Sequence, residues 1–324
     1  MKKFIFLVLI TLVFSLSSCN IKDDEENVIY VTVYPMRFLV EAIAGDQVVV
    51  KRVPGSQVHS DSIDWAAKDI IDMINSDIIF YVDGGLDGYI KKNADSTFKN
   101  SDTDLVNISE VVDYNKVCLT ETHTEEDHDD DDHTIDDPTG NCASNKLYED
   151  PHFWIDPVRM LQAATFIKDR LIEEYPKLEA DIIANYSSLE TQLITLHSEY
   201  EKMALEVTKP IITTSLLFNY YNARYDIEIL SMATTPHSID SKPGDTTSMI
   251  AEAKLHDIHY ILYERNVSSN QGDSLFNDLG QDGYEVFKAE LHGLGNLTNE
   301  EVTDLQTYLT LMYDNLEVLK LATK

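Results

Sequence analysis

The sequence predicts an α/β protein of two lobes, each a parallel sheet with flanking helices, joined by one long rigid helix. Three observations predict it. Short β-branched and aromatic runs alternate with helical stretches in both halves of the chain, the pattern of parallel sheets covered by helices. Residues 178–207 hold neither Gly nor Pro and carry an apolar stripe of helical spacing. With 324 residues, 43% of them hydrophobic, the chain is long enough for two cores.

Lys2 and Lys3 precede an apolar run from Phe4 to Phe14 that is too short to span a bilayer. Leu16-Ser17-Ser18-Cys19 then resembles a bacterial lipobox, which makes 1–19 a lipoprotein signal peptide with Cys19 as the lipidated residue. Residues 20–27 are a polar tether. The expected location is extracytoplasmic, held to the bacterial cell membrane by lipid alone.

Val28 to Tyr34 reads as a strand, and Pro35 opens a helix that Gly45 ends. Gln47 to Val53 is a second strand, leading through Pro54-Gly55 to His59. A helix over 66–75, a strand over 77–82, a helix over 86–92 and a strand over 103–108 follow. Sites in such sheets gather at the carboxyl ends of strands, where His59 and His152 both fall. A lone His is commonly a structural residue. Here, however, each of the two His stands near a Pro turn, and each of the two Trp follows one of them. In Tyr148-Glu149-Asp150-Pro151-His152-Phe153-Trp154-Ile155-Asp156-Pro157, both prolines oppose helix at the residue before them, and Asp156-Pro157 reads as a helix start.

Residues 121–137 are almost devoid of apolar side chains, and His123, His128 and His133 recur there among carboxylates. This is either a labile zinc-collecting loop or a solvated acidic loop. Cys118 and Cys142 bracket it. A disulfide between them would close a loop of roughly 25 residues and contribute on the order of 3 kcal/mol; the alternative is two buried thiols. The formal net charge of -32 excludes nucleic acid as a partner.

Beyond Pro157, helices are expected over 159–174 and 178–207. The alternation then resumes: strands over 210–214, 227–232, 260–264 and 285–289, with helices over 216–224, 245–256 and 271–279. A loop over 233–243 holds His237. Thr298 caps a last helix, expected to run to about Leu321, and Glu301 completes a capping box.

These residues resemble the substrate-binding lipoproteins of zinc/manganese ABC transporters. The resemblance rests on Tyr34-Pro35 with Ile43-Ala44-Gly45-Asp46, Pro54-Gly55-Ser56 before His59, and Asp77-Ile78-Ile79-Phe80-Tyr81. It continues through Asp150-Pro151-His152-Phe153-Trp154-Ile155-Asp156-Pro157, Pro210-Ile211-Ile212-Thr213, Tyr263-Glu264 and Leu297-Thr298. It implies a metal-binding N-terminal lobe over 28–177, a linking helix over 178–207 and a C-terminal lobe over 208–324. It also implies one divalent metal in the cleft between the lobes, delivered to a membrane permease without turnover. The N-lobe ligands carry over as His59 and His152. In the C-lobe, Ser215 stands at the usual His position, and His292 falls at the carboxylate position. The expected site is therefore His59, His152 and His292, with Glu264, Glu290, Ser215, His237 or water in a fourth place. Three neutral imidazoles favour Zn²⁺ over Mn²⁺. A manganese receptor, a zinc hydrolase and a surface adhesin are the alternatives; no His-Glu-x-x-His motif supports the hydrolase. A monomer is expected.

Overall fold

The computed structural model describes residues 26–56, 62–118, 147–233 and 245–324. The first half forms β1 (Val28–Val31), α1 (Tyr34–Ala44), β2 (Val49–Arg52), α2 (Ala67–Ile74), β3 (Ile78–Tyr81), α3 (Gly88–Ala94) and β4 (Asp104–Asn107). The four strands pair in parallel in the order β2-β1-β3-β4. An antiparallel hairpin follows, β5 (Asn115–Cys118) with β6 (Leu147–Asp150), which the sequence reading did not anticipate. Two long helices come next, α4 (Pro157–Glu174) and α5 (Glu179–Ala204). The second half runs β7 (Ile211–Thr213), α6 (Tyr220–Tyr225), β8 (Ile229–Ser231), α7 (Asp245–Leu255), β9 (Tyr260–Glu264), α8 (Asn270–Gln281) and β10 (Phe287–Leu291). Two helices, α9 (Asn299–Thr303) and α10 (Tyr308–Ala322), end the chain. Its sheet is also all parallel, in the order β10-β9-β7-β8.

Alternation along the strands sorts side chains into layers. Ile29, Val31, Ile78 and Phe80 point into a central core, while Tyr30, Ile79 and Tyr81 point outward onto Met73, Tyr89, Ile90 and Phe98. In the second sheet Ile211 and Leu262 face the same central core, whereas Ile212, Ile261 and Tyr263 pack outward on Leu275 and Leu279. One apolar layer therefore runs between the two sheets, filled by α1, α4, α5 and α10.

The middle of that layer is α5. Ile182, Tyr186, Leu189, Leu193, Leu196, Tyr200 and Met203 are buried at alternating spacings of four and three, so they form a single stripe. Ile183, expected on that stripe, is 45% exposed because it falls one residue off the period. The 26 residues of α5 make a rod of about 39 Å. Near its start Asn185 donates to the Ile43 carbonyl of α1 at 3.1 Å, and near its end Tyr200 donates to the Met312 carbonyl of α10 at 2.7 Å. The rod is fastened to both halves.

Two element boundaries differ from expectation for local reasons. The first strand stops at Val31 because Pro35 sits in the first turn of α1, drawing Tyr34 into the helix. The last helix is two helices. The capping box of Thr298 and Glu301 forms, but α9 stops at Thr303, Leu305 turns into the left-handed region at φ 57°, and Thr307 with Thr310 makes a second capping box.

Candidate metal centre

β6 ends at Asp150, and Pro151 prevents helix from starting there. His152 thus sits on a bend before a short 3-10 turn, Phe153–Ile155. Asp156 then caps α4, accepting from the Val158 amide at 2.9 Å, with Pro157 in the first turn. His152 is 5% exposed. Its Nδ1 lies 2.6 Å from Asp150 Oδ1, and the same oxygen accepts from the His152 amide at 3.0 Å. A carboxylate at that distance assigns the proton to Nδ1 and the lone pair to Nε2, the arrangement that orients metal-binding imidazoles. Asp150 Oδ2 is buried without a hydrogen-bond partner among the described residues.

The second half of the chain closes over this segment. Tyr220 donates to the Asp150 carbonyl at 2.5 Å, and Tyr308 donates to the Trp154 carbonyl at 2.8 Å. Trp154 Nε1 donates to the Gly293 carbonyl at 2.8 Å. Arg224 pairs with the fully buried Asp156 at 2.7 Å. The Trp154 ring also meets His152 edge-on, 5.1 Å between centroids.

Glu264, at the carboxyl end of β9, faces His152 and Ser215. Burial pushes its carboxyl up, while the Ser215 hydroxyl and His152 work against that shift. Gly293 leaves room for it: a Cβ there would lie 2.5 Å from Glu264 Oε1. An oriented imidazole from one half and a desolvated carboxylate from the other are therefore brought to one seam. The two differ in proton demand and share an affinity for a hard or borderline divalent cation.

His59 lies outside the described residues, but both flanks of its loop are held. Arg52 Nε donates to Ser56 Oγ at 3.0 Å and to the Thr32 carbonyl at 3.2 Å, and Trp65 Nε1 donates to the Pro54 carbonyl at 3.0 Å. His237, the loop histidines His123, His128 and His133, and Cys19 and Cys142 also lie outside, as does the side chain of Cys118. Among the described residues no group of three or more His, Cys, Asp or Glu forms a cage for a metal ion.

Two of the expected ligands have partners within their own half. His292 has both ring nitrogens committed within its own half: Nδ1 accepts from the Leu294 amide at 2.8 Å, and Nε2 donates to Glu301 at 3.0 Å. Burial lowers its pKa, against the pull of Glu301, so it is a neutral structural imidazole. Its position in the chain could not reveal that Glu301 holds it. Glu290 is exposed on β10 and pairs with Arg265 at 3.5 Å. Its neighbours on the strand alternate to the other face, which removes it from the seam. The Ser215 hydroxyl hydrogen-bonds the Glu264 carboxyl. What the sequence reading missed is Asp150 as the partner of His152. The available signal was a carboxylate two residues before the His on a segment that Pro151 keeps out of helix.

Two parallel sheets on one helical rod, with an oriented imidazole from one half and a buried carboxylate from the other, define a two-lobed α/β protein with a candidate metal centre. The chain belongs to the family described as zinc-uptake complex component A, periplasmic (ZnuA), whose family model matches residues 29–322. It is 24% identical over 293 residues to the zinc-binding protein AdcA of Streptococcus pyogenes serotype M3, covering 90% of this chain and 55% of that protein. The chain thus spans about half the length of such relatives. It is 26% identical to the high-affinity zinc uptake system protein ZnuA of Bacillus subtilis, covering 94% of this chain and 89% of that one. Among solved structures, the Zn(II)-bound ZnuA-like domain of Streptococcus pneumoniae AdcA shares the fold at a TM-score of 0.68 and 21% identity, covering 92% of this chain and 99% of that one.

Proposed function

We propose that this protein is an extracytoplasmic receptor that binds Zn²⁺ at the seam between its lobes and passes it to the permease of an ABC transporter, with no chemical turnover. The observation that carries this reading is the Asp150–His152 pair, with 2.6 Å between the Asp150 carboxylate and the imidazole, and the buried Glu264 of the other half near enough to interact electrostatically with that imidazole. His59 and His152 supply nitrogen from the first lobe and Glu264 supplies oxygen from the second. The fourth place falls to water beside Ser215. One carboxylate and two neutral imidazoles leave a net positive site, which suits zinc better than the oxygen-richer surroundings manganese prefers. The names of the relatives, zinc-binding protein and zinc uptake protein, support the same cargo.

The remaining readings follow from the sequence. Cys19 carries the lipid anchor, residues 121–137 collect zinc for the seam, and Cys118 pairs with Cys142 at the base of that loop. The protein acts as a monomer, with lobes 28–177 and 208–324 on the helix between them. Metal analysis of the purified protein, then a competition titration with a zinc indicator, tests the assignment. One tight zinc site that is lost in both His152→Ala and Glu264→Ala is the expected result. Stoichiometric binding that survives both substitutions would reject it.

A further inference from the structure

A cavity of about 720 Å³ lies between α1, the end of β2 and α9. Its size is that of a small-molecule site, which typically spans about 300–1,000 Å³. Its charged lining is two guanidinium groups, Arg37 and Arg52, and one carboxylate, Glu41, beside the apolar side chains of Phe38, Leu297 and Val302.

The charges are unusual for a chain of net charge -32. Arg37 meets Glu41 at 2.7 Å through Nε only. Arg52 is half-buried and has no carboxylate partner among the described residues. Its Nε and Nη2 donate to the Thr32 carbonyl and to Ser56, and Nη1 has no hydrogen-bond acceptor there. Burial draws its pKa down to about 10, so it remains a cation at neutral pH. A desolvated guanidinium facing an open cavity is costly unless an anion completes it, and its planar fork matches a carboxylate. The apolar wall is equally exposed: Val302 is 58% and Leu305 83% accessible at the rim, and the Phe38 ring stacks on Tyr308 at 5.3 Å.

We propose that this cavity binds a small organic anion, its carboxylate on Arg52 and Arg37 and its apolar body between Phe38 and α9. The global field of an acidic protein opposes such a ligand, so recognition must come from these local groups and weaken with salt. Because Arg52 also holds Ser56, an occupied cavity would stiffen the turn that enters the loop of His59.

The test uses the full chain in chelator, so that no metal bridges the ligand, with 2-naphthoate as probe and the nearly isosteric neutral 2-naphthamide as control, read by isothermal titration calorimetry. We expect naphthoate to bind at least tenfold more tightly than naphthamide. That preference should disappear in Arg52→Gln and fall at least threefold in Arg37→Gln. Arg52 also supports a turn, so if its variant fails to fold, the exposed Arg37→Gln decides alone. Equal affinity for the two probes, no binding of either at millimolar concentration, or a preference unchanged in Arg37→Gln and in any folded Arg52→Gln would overturn the proposal. Zinc titrations of the same variants in chelator-free buffer report on the seam separately.

Discussion

Replacing Asp150 by Asn separates metal affinity from fold stability. In the structure Asp150 Oδ1 accepts from both the amide and Nδ1 of His152, at 3.0 and 2.6 Å, while Oδ2 lies buried without a partner among the described residues. Asn keeps an acceptor for both donors but loses the carboxylate charge that holds the Nδ1 proton in place. It also places an amine where the unpartnered oxygen was. Loss of an outer partner of a metal-binding His typically weakens the metal by about 10–100-fold, or about 1.4–2.7 kcal/mol. Stability should move much less. Relief of a buried charge and burial of an unpaired amine oppose one another, leaving a net change below about 1.5 kcal/mol. Competition titration at pH 7.5 reads the first quantity, and thermal melting of the metal-free protein reads the second. His152→Ala sets the ceiling for lost affinity. If Asp150→Asn binds zinc as tightly as the parent, Asp150 does not orient a ligand and the assignment of His152 fails with it.

Further outcomes follow from the same contacts. Burial raises the Glu264 carboxyl in the folded, metal-free state, so its ionised form destabilises the fold above that raised pKa, and the cost vanishes as pH falls through it. Glu264→Gln should therefore melt higher than the parent at pH 8, with the gap closing in acid, yet bind zinc more weakly; an unchanged affinity would remove Glu264 from the site. Gly293→Ala drives a Cβ to within 2.5 Å of Glu264 Oε1. The carboxylate end can swing aside, so circular dichroism should show a folded protein whose zinc affinity has dropped several-fold. Tyr308→Phe removes the 2.8 Å bond to the buried Trp154 carbonyl and should cost about 1–3 kcal/mol in urea unfolding. Zinc should also change tryptophan emission, because Trp154 touches His152 edge-on and Trp65 braces the turn before position 57; a flat trace would count against metal at this seam.

Much of the architecture was legible because it depends on short-range patterning. Ile211-Ile212 and Ile78-Ile79-Phe80 are continuous apolar runs, as strands buried on both faces must be. The stripe of α5 and the Thr298–Glu301 capping box are visible for the same reason: each is a spacing within one element. Leu305 was not legible, because nothing in Asp304-Leu305-Gln306-Thr307 forbids helix, and the break depends on Thr307 capping α10 instead. The hairpin of β5 and β6 escaped notice because its strands are separated by a long polar stretch. Half of the centre could be read from Pro151-His152 alone. The other half could not, since what distinguishes Glu264, Glu290 and His292 is their neighbours Gly293, Arg265 and Glu301, which are partners in space rather than in sequence. Glu301 illustrates the limit: one carboxylate caps its own helix through the Thr298 amide at 2.8 Å and holds His292 at 3.0 Å.

The rod through the middle has a thermodynamic corollary. Its apolar stripe belongs to a single layer that both sheets share, so neither sheet can lose its inner face while the other keeps its own. Heat should melt the two halves together, as one calorimetric peak whose van't Hoff and measured enthalpies agree. Metal held at the far ends of the strands would then shift that single peak as a whole, protecting parts of the molecule it never touches.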